Sequence, residues 1–449
     1  MKRSIAGWVA ALCLLSLAGW SQTPAWALAF SAQSFQQLAD ADSTAAIAPG
    51  TRITVANWQH YRRFMPVWMQ AAFSGEYGAR VGASPQFAIV VEPTVHYPLP
   101  QKFVEDTEKY AGQTKLVALP DGGFTWSGYV AGLPFPNPTE PHLGVKILYN
   151  TWAKFLPWAV HFRSDGALVD RFGNRSFQRV DAGWYRTSHI SYPGIAPDFT
   201  FASGVLYTTR FMVDFPEQSK YTTEMTLQTD DPTRLQEVYV FLPSIRRSLR
   251  LSSAAHCAPV LGTDYVQDDN SWLPSNYQAA FLGEKKLLQI VPDPDPKKGY
   301  TMANWIGMTN DGHWDDFPGW PKAASGAAHW MLRNFYVLDL TWLPAKGAYC
   351  FSHRIYYIDA DSWMNVMNES YDRDGKLWKL LWNGFPPLPY RGQRTMVYGT
   401  SISTMGIDFQ NTHASTAISS PPTFEDDVPI QYRNMAVVTS PSGLAQIMK

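Results

Sequence analysis

Residues 335–342 read Phe-Tyr-Val-Leu-Asp-Leu-Thr-Trp, and this stretch decides the fold. Successive side chains of a strand point to opposite faces, and here both faces are apolar except at Asp339 and Thr341. A strand that is apolar on both faces needs cover on both faces. We therefore predict a strand inside a sheet, with helices covering one face and either more protein or a bound apolar molecule covering the other.

Three more strands follow this one at hairpin spacing. A turn at 345–347 precedes a second strand at 348–359, and a third is predicted at 363–371. Asp374-Gly375 is a strong hairpin signal, and the fourth strand follows it at 376–382. The four runs predict an antiparallel meander.

Other strands are predicted from short apolar alternation, and helices from amphipathic spacing. The predicted helices cover 102–112 and 142–155, and the predicted strands cover 158–162, 167–171 (after a turn at Asp165-Gly166), 204–213, 221–228, 234–242 and 245–252. Connections of hairpin length favour a mainly β (α+β) fold, with one large antiparallel sheet and helices on one side of it. A doubly wound α/β fold is disfavoured, because strands do not alternate with helices.

The composition is nearly neutral and rich in aromatic residues. The 37 Lys and Arg residues balance 38 Asp and Glu, so no strong field selects a nucleic acid, and we predict no nucleic-acid partner. Charged residues make up 17% of the chain, below the roughly 25% of an average soluble domain. Aromatic residues reach 14%, which suits pleated strands better than long helices.

The first 27 residues have the pattern of a cleaved signal peptide. Lys2 and Arg3 precede an apolar stretch at 5–17 that is short for a membrane span. Ala25-Trp-Ala27 then supplies a small-x-small cleavage site. We predict export to the periplasm, and association with the outer membrane stays open.

The mature chain, 28–449, is predicted to be a single domain. It contains an irregular insertion near 292–328 and a tail from about 417 that is expected to be irregular. Cys257 and Cys350 remain after cleavage, and an oxidising compartment permits one disulfide. The sequence leaves their pairing open, because it does not fix the distance between their Cα atoms.

Motifs for catalysis or cofactor binding are absent from the sequence. It contains no Gly-x-Ser-x-Gly elbow, His-Glu-x-x-His, Cys-x-x-Cys, Walker loop or dinucleotide-binding glycine pattern. We therefore predict no cofactor and no catalytic residues of a recognisable class, although a site built from distant residues stays open.

Clusters of acidic residues could carry chemistry, but each has a simpler explanation. A metal could bind the group Asp311, His313, Asp315 and Asp316, but a solvated loop is the better explanation. A metal could also bind Asp372 and Asp374, but a hairpin turn explains these two residues better. Asp264, Asp268 and Asp269 could take part in acid–base catalysis, but a role as capping carboxylates at the start of a helix or turn explains them better. We predict no metal site.

A basic cluster lies in the strand predicted at 245–252. Arg246, Arg247 and Arg250 could bind an anionic head group or a partner surface. Pairing with carboxylates across the sheet, or exposure to solvent, is the alternative explanation.

Residues that could line an apolar ligand cavity are chosen from the alternation of the strands. A curved aromatic sheet closed by helices could enclose such a cavity, and ordinary core packing is the alternative. The candidates are Tyr239, Phe241, Tyr336, Leu338, Leu340, Trp342, Ile355, Tyr357, Met364 and Val366. A slip of one residue in register would replace each with its neighbour.

Several separated segments together resemble the domain of unknown function 1329 family. They are Arg354-Ile-Tyr-Tyr-Ile-Asp-Ala-Asp-Ser-Trp363, Tyr371-Asp-Arg-Asp-Gly-Lys-Leu-Trp378, Gly132-Leu-Pro-Phe-Pro136, Leu242-Pro-Ser-Ile-Arg-Arg247 with Arg250, and Gly262-Thr-Asp264 with Asp268-Asp269. The segments occur in the family's order and extend from about 130 to 380.

The resemblance implies a fold and a function. The fold would be an incomplete antiparallel β-barrel covered by helices, like that of the outer-membrane lipoprotein carriers and receptors of Gram-negative bacteria. The function would be to bind a lipid or another hydrophobic molecule and take part in its traffic between the inner and outer membranes. The implied partners are a resistance–nodulation–division (RND) type transporter and an outer-membrane protein.

Two other functions stay open beside this one. An enzyme acting on a hydrophobic substrate, such as a hydrolase, would place titratable groups such as Asp264 or His353 in the cavity. A structural accessory subunit of an envelope complex would have a filled core and no cavity.

Overall fold

The computed structural model describes residues 46–74, 88–252, 256–290, 328–385, 387–396, 403–420, 422–428, 430–444 and 446. The α-helices are α1 (Val67–Ser74), α2 (Gln101–Tyr110), α3 (Leu143–Ala153), α4 (Gln267–Asn270), α5 (Ile430–Arg433), α6 (Met435–Thr439) and α7 (Pro441–Leu444). Short 3-10 turns cover Trp58–Phe64, Ala111–Gln113, Glu217–Ser219, Pro274–Asn276, Pro344–Lys346 and Glu425–Asp427.

Strands make up most of the fold. They are β1 (Arg52–Thr54), β2 (Ala88–Glu92), β3 (Lys115–Ala118), β4 (Phe124–Ser127), β5 (Val160–Val169), β6 (Arg175–Arg186), β7 (Val205–Phe215), β8 (Thr223–Thr229), β9 (Glu237–Leu242), β10 (Arg247–Leu251), β11 (Tyr277–Ile290), β12 (Ala328–Trp342), β13 (His353–Asp359), β14 (Asn365–Tyr371), β15 (Leu377–Gly384), β16 (Pro387–Tyr390), β17 (Gln393–Met396), β18 (Ser403–Asp408), β19 (His413–Ser419) and β20 (Thr423–Phe424).

One large sheet of 16 strands, which is not closed into a barrel, dominates the fold. Its order is β1-β2-β12-β13-β14-β15-β18-β19-β5-β6-β7-β8-β9-β10, with β11 paired to β12 and β20 paired to β5. The predicted meander is confirmed as β12 to β15. The sheet is mixed rather than wholly antiparallel, because β2 runs parallel to β12.

The register divides the sheet into two faces. Directly opposed residues of paired strands share a face, so Leu338 and Tyr356 lie on one face and Val337 and Tyr357 on the other. We call the face of Leu338 and Tyr356 the front face and the other the back face. Each face packs against its own buried apolar cluster, so cover on both sides is confirmed.

Helices cover both faces, which corrects the expectation of helices on one side only. On the back face, the Trp68 ring of α1 lies 5.0 Å from that of Trp382. On the front face, α3 packs directly on β11, where a β-carbon added at Gly144 would lie 2.3 Å from the Ala279 carbonyl oxygen. Only glycine permits this close approach, because any side chain would clash with the backbone.

The turn predicted at Asp165-Gly166 is wrong, because β5 runs unbroken through it. Gly166 takes extended backbone and pairs with both Gln178 and Ala417. The chain reverses instead at Asp170, whose carboxylate accepts the backbone N–H groups of Phe172 and Asn174 at 2.8 and 2.9 Å. Carboxylate acceptance of nearby N–H groups stabilises such a turn.

The tail also differs from expectation, because α5, α6 and α7 follow β20. They cover the back face of β6 to β10, where the Thr208 hydroxyl donates to the Val438 carbonyl at 2.7 Å. Tyr432 stacks on His161 at 5.2 Å between ring centroids. The predicted signal peptide lies outside the described residues, as does all of the insertion except residue 328.

A buried ion pair within the meander gives a test of the fold. Asp359 is fully buried, and its carboxylate accepts two hydrogen bonds of 2.8 Å from Arg333 and one from the Ser362 hydroxyl. We expect Asp359→Ala to lower the free energy of unfolding by about 3–5 kcal/mol, because it leaves Arg333 buried without this partner. Urea denaturation measures the change.

The matched control is Asp374→Ala, since the Asp374 side chain is exposed in the hairpin turn. Exposed substitutions of this kind usually change stability by less than about 0.5 kcal/mol. Equal effects of the two variants would contradict a structural role for the buried pair.

Candidate functional site

A partly enclosed cavity of about 140 Å³ lies on the front face. It is roofed by the segment 260–272, which we call the covering loop. The lining combines aromatic and aliphatic residues with a nearly equal number of polar ones. The apolar, aromatic and glycine residues are Phe162, Gly166, Leu168, Val180, Ala182, Trp184, Phe211, Val260, Leu261, Tyr265, Trp272, Phe385 and Ala417. The polar residues are Lys154, Ser164, Gln178, Thr263, Asp269, Asn365, Asn383, Thr404, Ser415, Thr416 and Ser419.

Strands β5, β6 and β7 supply the apolar floor of the cavity. Ala182 lies opposite both Phe162 and Phe211 in the register, so the three side chains share the front face. Trp184 follows two residues later on the same face, as strand alternation requires. The space exists because Gly166 and Ala182 leave room between these larger groups.

The covering loop is tied to the sheet by the Asp264 carboxylate. It accepts the Ser415 hydroxyl at 2.7 Å and contacts His413 Nδ1 at 2.8 Å. The Tyr265 hydroxyl donates to the Ser415 carbonyl at 3.2 Å. The ring lies so close to Gly406 that a β-carbon there would lie 2.7 Å from it. The loop therefore has a defined position over the front face.

A buried guanidinium fixes the other end of this loop. Arg354 of β13 is fully buried and donates to Asp269 of the loop and to Asn368 of β14. It also donates through Nε to the Ser370 hydroxyl at 2.9 Å. Asp269 lines the cavity, but its charge is already paired with Arg354.

The neighbouring Asp268 collects a second set of partners. Its carboxylate accepts the hydroxyls of Tyr277 and Tyr349 at 2.8 Å and contacts His256 Nδ1 at 2.7 Å. Two of these partners are sequence neighbours of cysteines, because His256 precedes Cys257 and Tyr349 precedes Cys350. Cys257 and Cys350 form a disulfide with Cα atoms 6.3 Å apart. The bond joins the segment just before the covering loop to the connection between β12 and β13.

Lys154 is the cationic group of the cavity lining. It follows α3, is only 5% exposed, and donates through Nζ to the Thr151 carbonyl at 3.0 Å. Burial, and then the positive charge of Arg186, lowers its pKa to about 7. The ammonium form is disfavoured there because an apolar surrounding solvates charge poorly.

None of the ten predicted lining residues lines this cavity. Four are on the front face but pack in its core under α3 or beside it: Tyr336, Leu338, Leu340 and Trp342. Six are on the back face: Ile355, Tyr357, Met364 and Val366 in its main cluster, and Tyr239 and Phe241 near α7. The predicted set is thus divided between the two faces, and their role in ligand binding stays a prediction.

The residues that do line the cavity were missed for identifiable reasons. The alternation of Phe162, Ser164, Gly166 and Leu168 was hidden by the false turn at Asp165-Gly166. A second signal, Val180, Ala182 and Trp184 at every second position, was present in the sequence but unused. The covering loop has no periodicity that could place it.

The basic cluster lies at the far edge of the sheet. Arg246 is in the turn before β10, and Arg247 and Arg250 lie on this edge strand. Arg250 Nη2 lies 3.0 Å from a carboxylate oxygen of Glu237, so one of the three has a cross-strand partner. Their role as a head-group or partner surface stays a prediction.

Other candidate groups are accounted for locally or lie outside the described residues. Asp372 accepts the backbone N–H groups of Asp374 and Lys376 at 2.9 and 2.8 Å, as a hairpin turn requires. The group from Asp311 to Asp316 lies outside the described residues. In the described part of the chain, no group of three or more His, Cys, Asp or Glu could hold a metal ion, and no helix is long and apolar enough to cross a membrane.

Comparison with known proteins gives a family but no curated relative. A family model described as "Protein of unknown function (DUF1329)" matches residues 52–423. No curated protein matches the sequence.

Solved structures give distant likenesses. A putative outer membrane lipoprotein-sorting protein domain from Vibrio parahaemolyticus is 14% identical, with a TM-score of 0.44 over 66% of this chain and 98% of that one. A DUF1329 family protein from Desulfovibrio piger is 12% identical, with a TM-score of 0.45 over 67% of this chain and 100% of that one. A LolA superfamily protein from Nitrosomonas europaea is 12% identical, with a TM-score of 0.35 over 62% of this chain and 91% of that one.

The lowered pKa of Lys154 predicts how stability changes with pH. Well above pH 7 and up to about pH 10, the folded protein holds this lysine mostly neutral, whereas the unfolded chain protonates it. Unfolding then takes up a proton, so the free energy of unfolding should rise with pH by up to about 1.4 kcal/mol per unit from this group. Lys154→Met should flatten that rise, as measured by urea denaturation from pH 6.5 to 9.5.

Lys285→Met is the comparison variant for this test. Burial lowers the pKa of Lys285 only to about 8, and the residue lies on β11 away from the cavity lining. Because burial lowers its pKa less, its substitution should flatten the rise less than Lys154→Met does, and at higher pH. A Lys154→Met profile that matches the unsubstituted protein would refute the lowered pKa.

Proposed function

The chain belongs to the DUF1329 family, whose model matches well over half of it, and we propose that it binds a hydrophobic small molecule in the front-face cavity. The observation that carries the proposal is the cavity itself, with Phe162, Trp184, Phe211 and Trp272 around it. Clefts with apolar walls and a few placed polar groups are the usual sites for small ligands.

The size of the cavity suits part of a lipid or a small ring compound. Its volume of about 140 Å³ is close to that of an engineered apolar cavity of about 150 Å³ that binds benzene. Each buried methylene contributes about 0.8 kcal/mol before the costs of association. Because the cavity is only partly enclosed, a longer chain can extend beyond it.

We place this binding in transport across the periplasm. The predicted signal peptide supports export, and the family resemblance supports traffic of lipids or other hydrophobic compounds between the two membranes. An RND-type transporter and an outer-membrane protein are the partners that the resemblance suggests. This part of the proposal rests on the sequence alone.

The presence of the cavity tests the accessory-subunit hypothesis, and the residues that line it test the enzyme hypothesis. The accessory-subunit hypothesis expected a filled core, whereas a cavity is present. The enzyme hypothesis expected Asp264 or His353 in the cavity, and neither is among its lining residues. Asp269 does reach the lining, but Arg354 pairs with it.

Filling the cavity tests the proposal directly. Ala182 is fully buried and lines the floor, so the ring of Ala182→Phe would occupy the space that a ligand needs. We expect calorimetric titration with decan-1-ol to show binding to the unsubstituted protein and at least about tenfold weaker binding to this variant. Native mass spectrometry of protein purified from its own periplasm should show the same loss of co-purified ligand.

The same substitution at an exposed site is the control. Ala118 lies on β3 outside the cavity lining, and Ala118→Phe should bind decan-1-ol as the unsubstituted protein does. Circular dichroism melts establish that Ala182→Phe is folded. Equal binding by folded Ala182→Phe would refute the cavity as the site, and failure of the unsubstituted protein to bind any decyl probe, neutral or anionic, would refute the proposal.

A further inference from the structure

Arg186 places a buried positive charge beside the cavity. It is two residues beyond Trp184 on β6, so both side chains lie on the front face. Arg186 is only 4% exposed, and its Nε donates to the neutral Ser188 carbonyl at 2.9 Å. Within the described residues, no carboxylate forms an ion pair with it.

Neutral aromatic groups surround this guanidinium. Tyr207 lies directly opposite Arg186 in the register, and the Tyr129 phenol is within hydrogen-bonding reach. Burial lowers the pKa of Arg186 itself, as expected where apolar surroundings outweigh nearby compensating charge. Removing a cation from water without an anion is costly, so this site favours an incoming negative charge.

Lys154 brings a second basic group to the same place. Lys154 belongs to the cavity lining, and the positive charge of Arg186 contributes to its lowered pKa. His189 is a third basic group nearby, and its pKa is lowered by burial and then by Arg186. Lys154 lies in the lining and Arg186 lies two residues beyond the lining residue Trp184, so two buried basic side chains border the cavity.

One further buried carboxylate faces the same side: Glu224 lies opposite Phe211 in the register and accepts a hydrogen bond of 2.9 Å from Gln267, and burial raises its pKa to about 7.

The other acidic groups near this region are as follows. Asp269 shares the lining with Lys154 but is paired with Arg354. The charge of Asp230 raises the pKa of His189. Asp106, which forms an ion pair with Lys102, raises the pKa of Tyr129.

We infer that the ligand of the cavity is an amphiphile with an anionic head group, which binds Lys154 within the positive field of Arg186. The inference rests on the proposed function and adds the polarity of the ligand to it. The apolar part would contact Phe162, Trp184 and Phe211, and a carboxylate or phosphate oxygen would accept the hydrogen bond from Lys154. Charge-assisted hydrogen bonds of this kind are the strong ones in proteins.

Binding of an anion should be accompanied by proton uptake. Near pH 8 most of Lys154 is neutral in the empty site, whereas an adjacent anion favours its ammonium form. The proton comes from the solvent, so the observed enthalpy depends on the ionisation enthalpy of the buffer. A neutral ligand gives no such dependence through Lys154.

Two probes of matched length test the inference by calorimetry. Decanoate should bind at least about tenfold more tightly than decan-1-ol at pH 7, the factor expected of one hydrogen bond to a charged group. Titration in two buffers at pH 8 should show close to one proton taken up per decanoate bound. Decyl phosphate, as a third probe, tells which head group is preferred, and tighter binding of either anion than of the alcohol supports the inference.

Substitutions connect this preference to the basic residues. Lys154→Met should abolish both the preference for decanoate and the proton uptake, and Arg186→Met should weaken the preference. Lys285→Met, outside the lining, should retain both. Because the readout is a ratio of two ligands on one protein, a modest loss of stability does not mimic it.

The outcomes separate the inference from the proposed function. Equal binding of decanoate and decan-1-ol, or an unchanged preference in folded Lys154→Met, overturns the inference while the cavity remains a hydrophobe site. Binding of none of the three probes overturns the proposed function and the inference with it.

Discussion

The buried guanidinium of Arg354 is the interaction on which the rest of the structure depends. It binds Asp269 of the covering loop on one side and Asn368 and Ser370 of the meander on the other. A fully buried charge is stable only when several partners bind it, because leaving it unpaired in the core costs free energy. The loop therefore cannot leave the front face without exposing an unpaired charge in the core, and the roof of the cavity is kept in place.

Local signals made the meander predictable from the sequence. Hairpins depend on turn residues and on alternation within a few positions, and Asp374-Gly375 with its flanking strands contains both. The parallel contact of β2 with β12 joins segments far apart in the sequence, so no local pattern indicates it. The same holds for the helices at the end of the chain, which are each too short to give a periodic signal.

The candidate site was much less predictable, because the alternation of side chains along a strand does not show which face packs against which layer. Ile355 and Tyr357 were chosen although Tyr356 is the residue that faces the front. Family-signature residues such as Asp268, Asp269 and Arg354 proved to position the covering loop. The cavity instead depends on Phe162 of β5, which the false turn obscured, and on Ala182 and Trp184 of β6, which was not predicted as a strand.

The small side chains in the cavity floor determine how large the hollow is. Gly166 and Ala417 lie opposite each other on β5 and β19, and Ala182 is nearby on β6, all in regular paired strands. Exchanging Ala182 or Ala417 for a larger residue would alter the shape of the hollow while the backbone hydrogen bonds stay as they are, whereas a β-carbon at Gly166 would lie 3.1 Å from the Thr416 carbonyl oxygen. The size of the hollow is therefore set by two side chains that can change without changing the sheet.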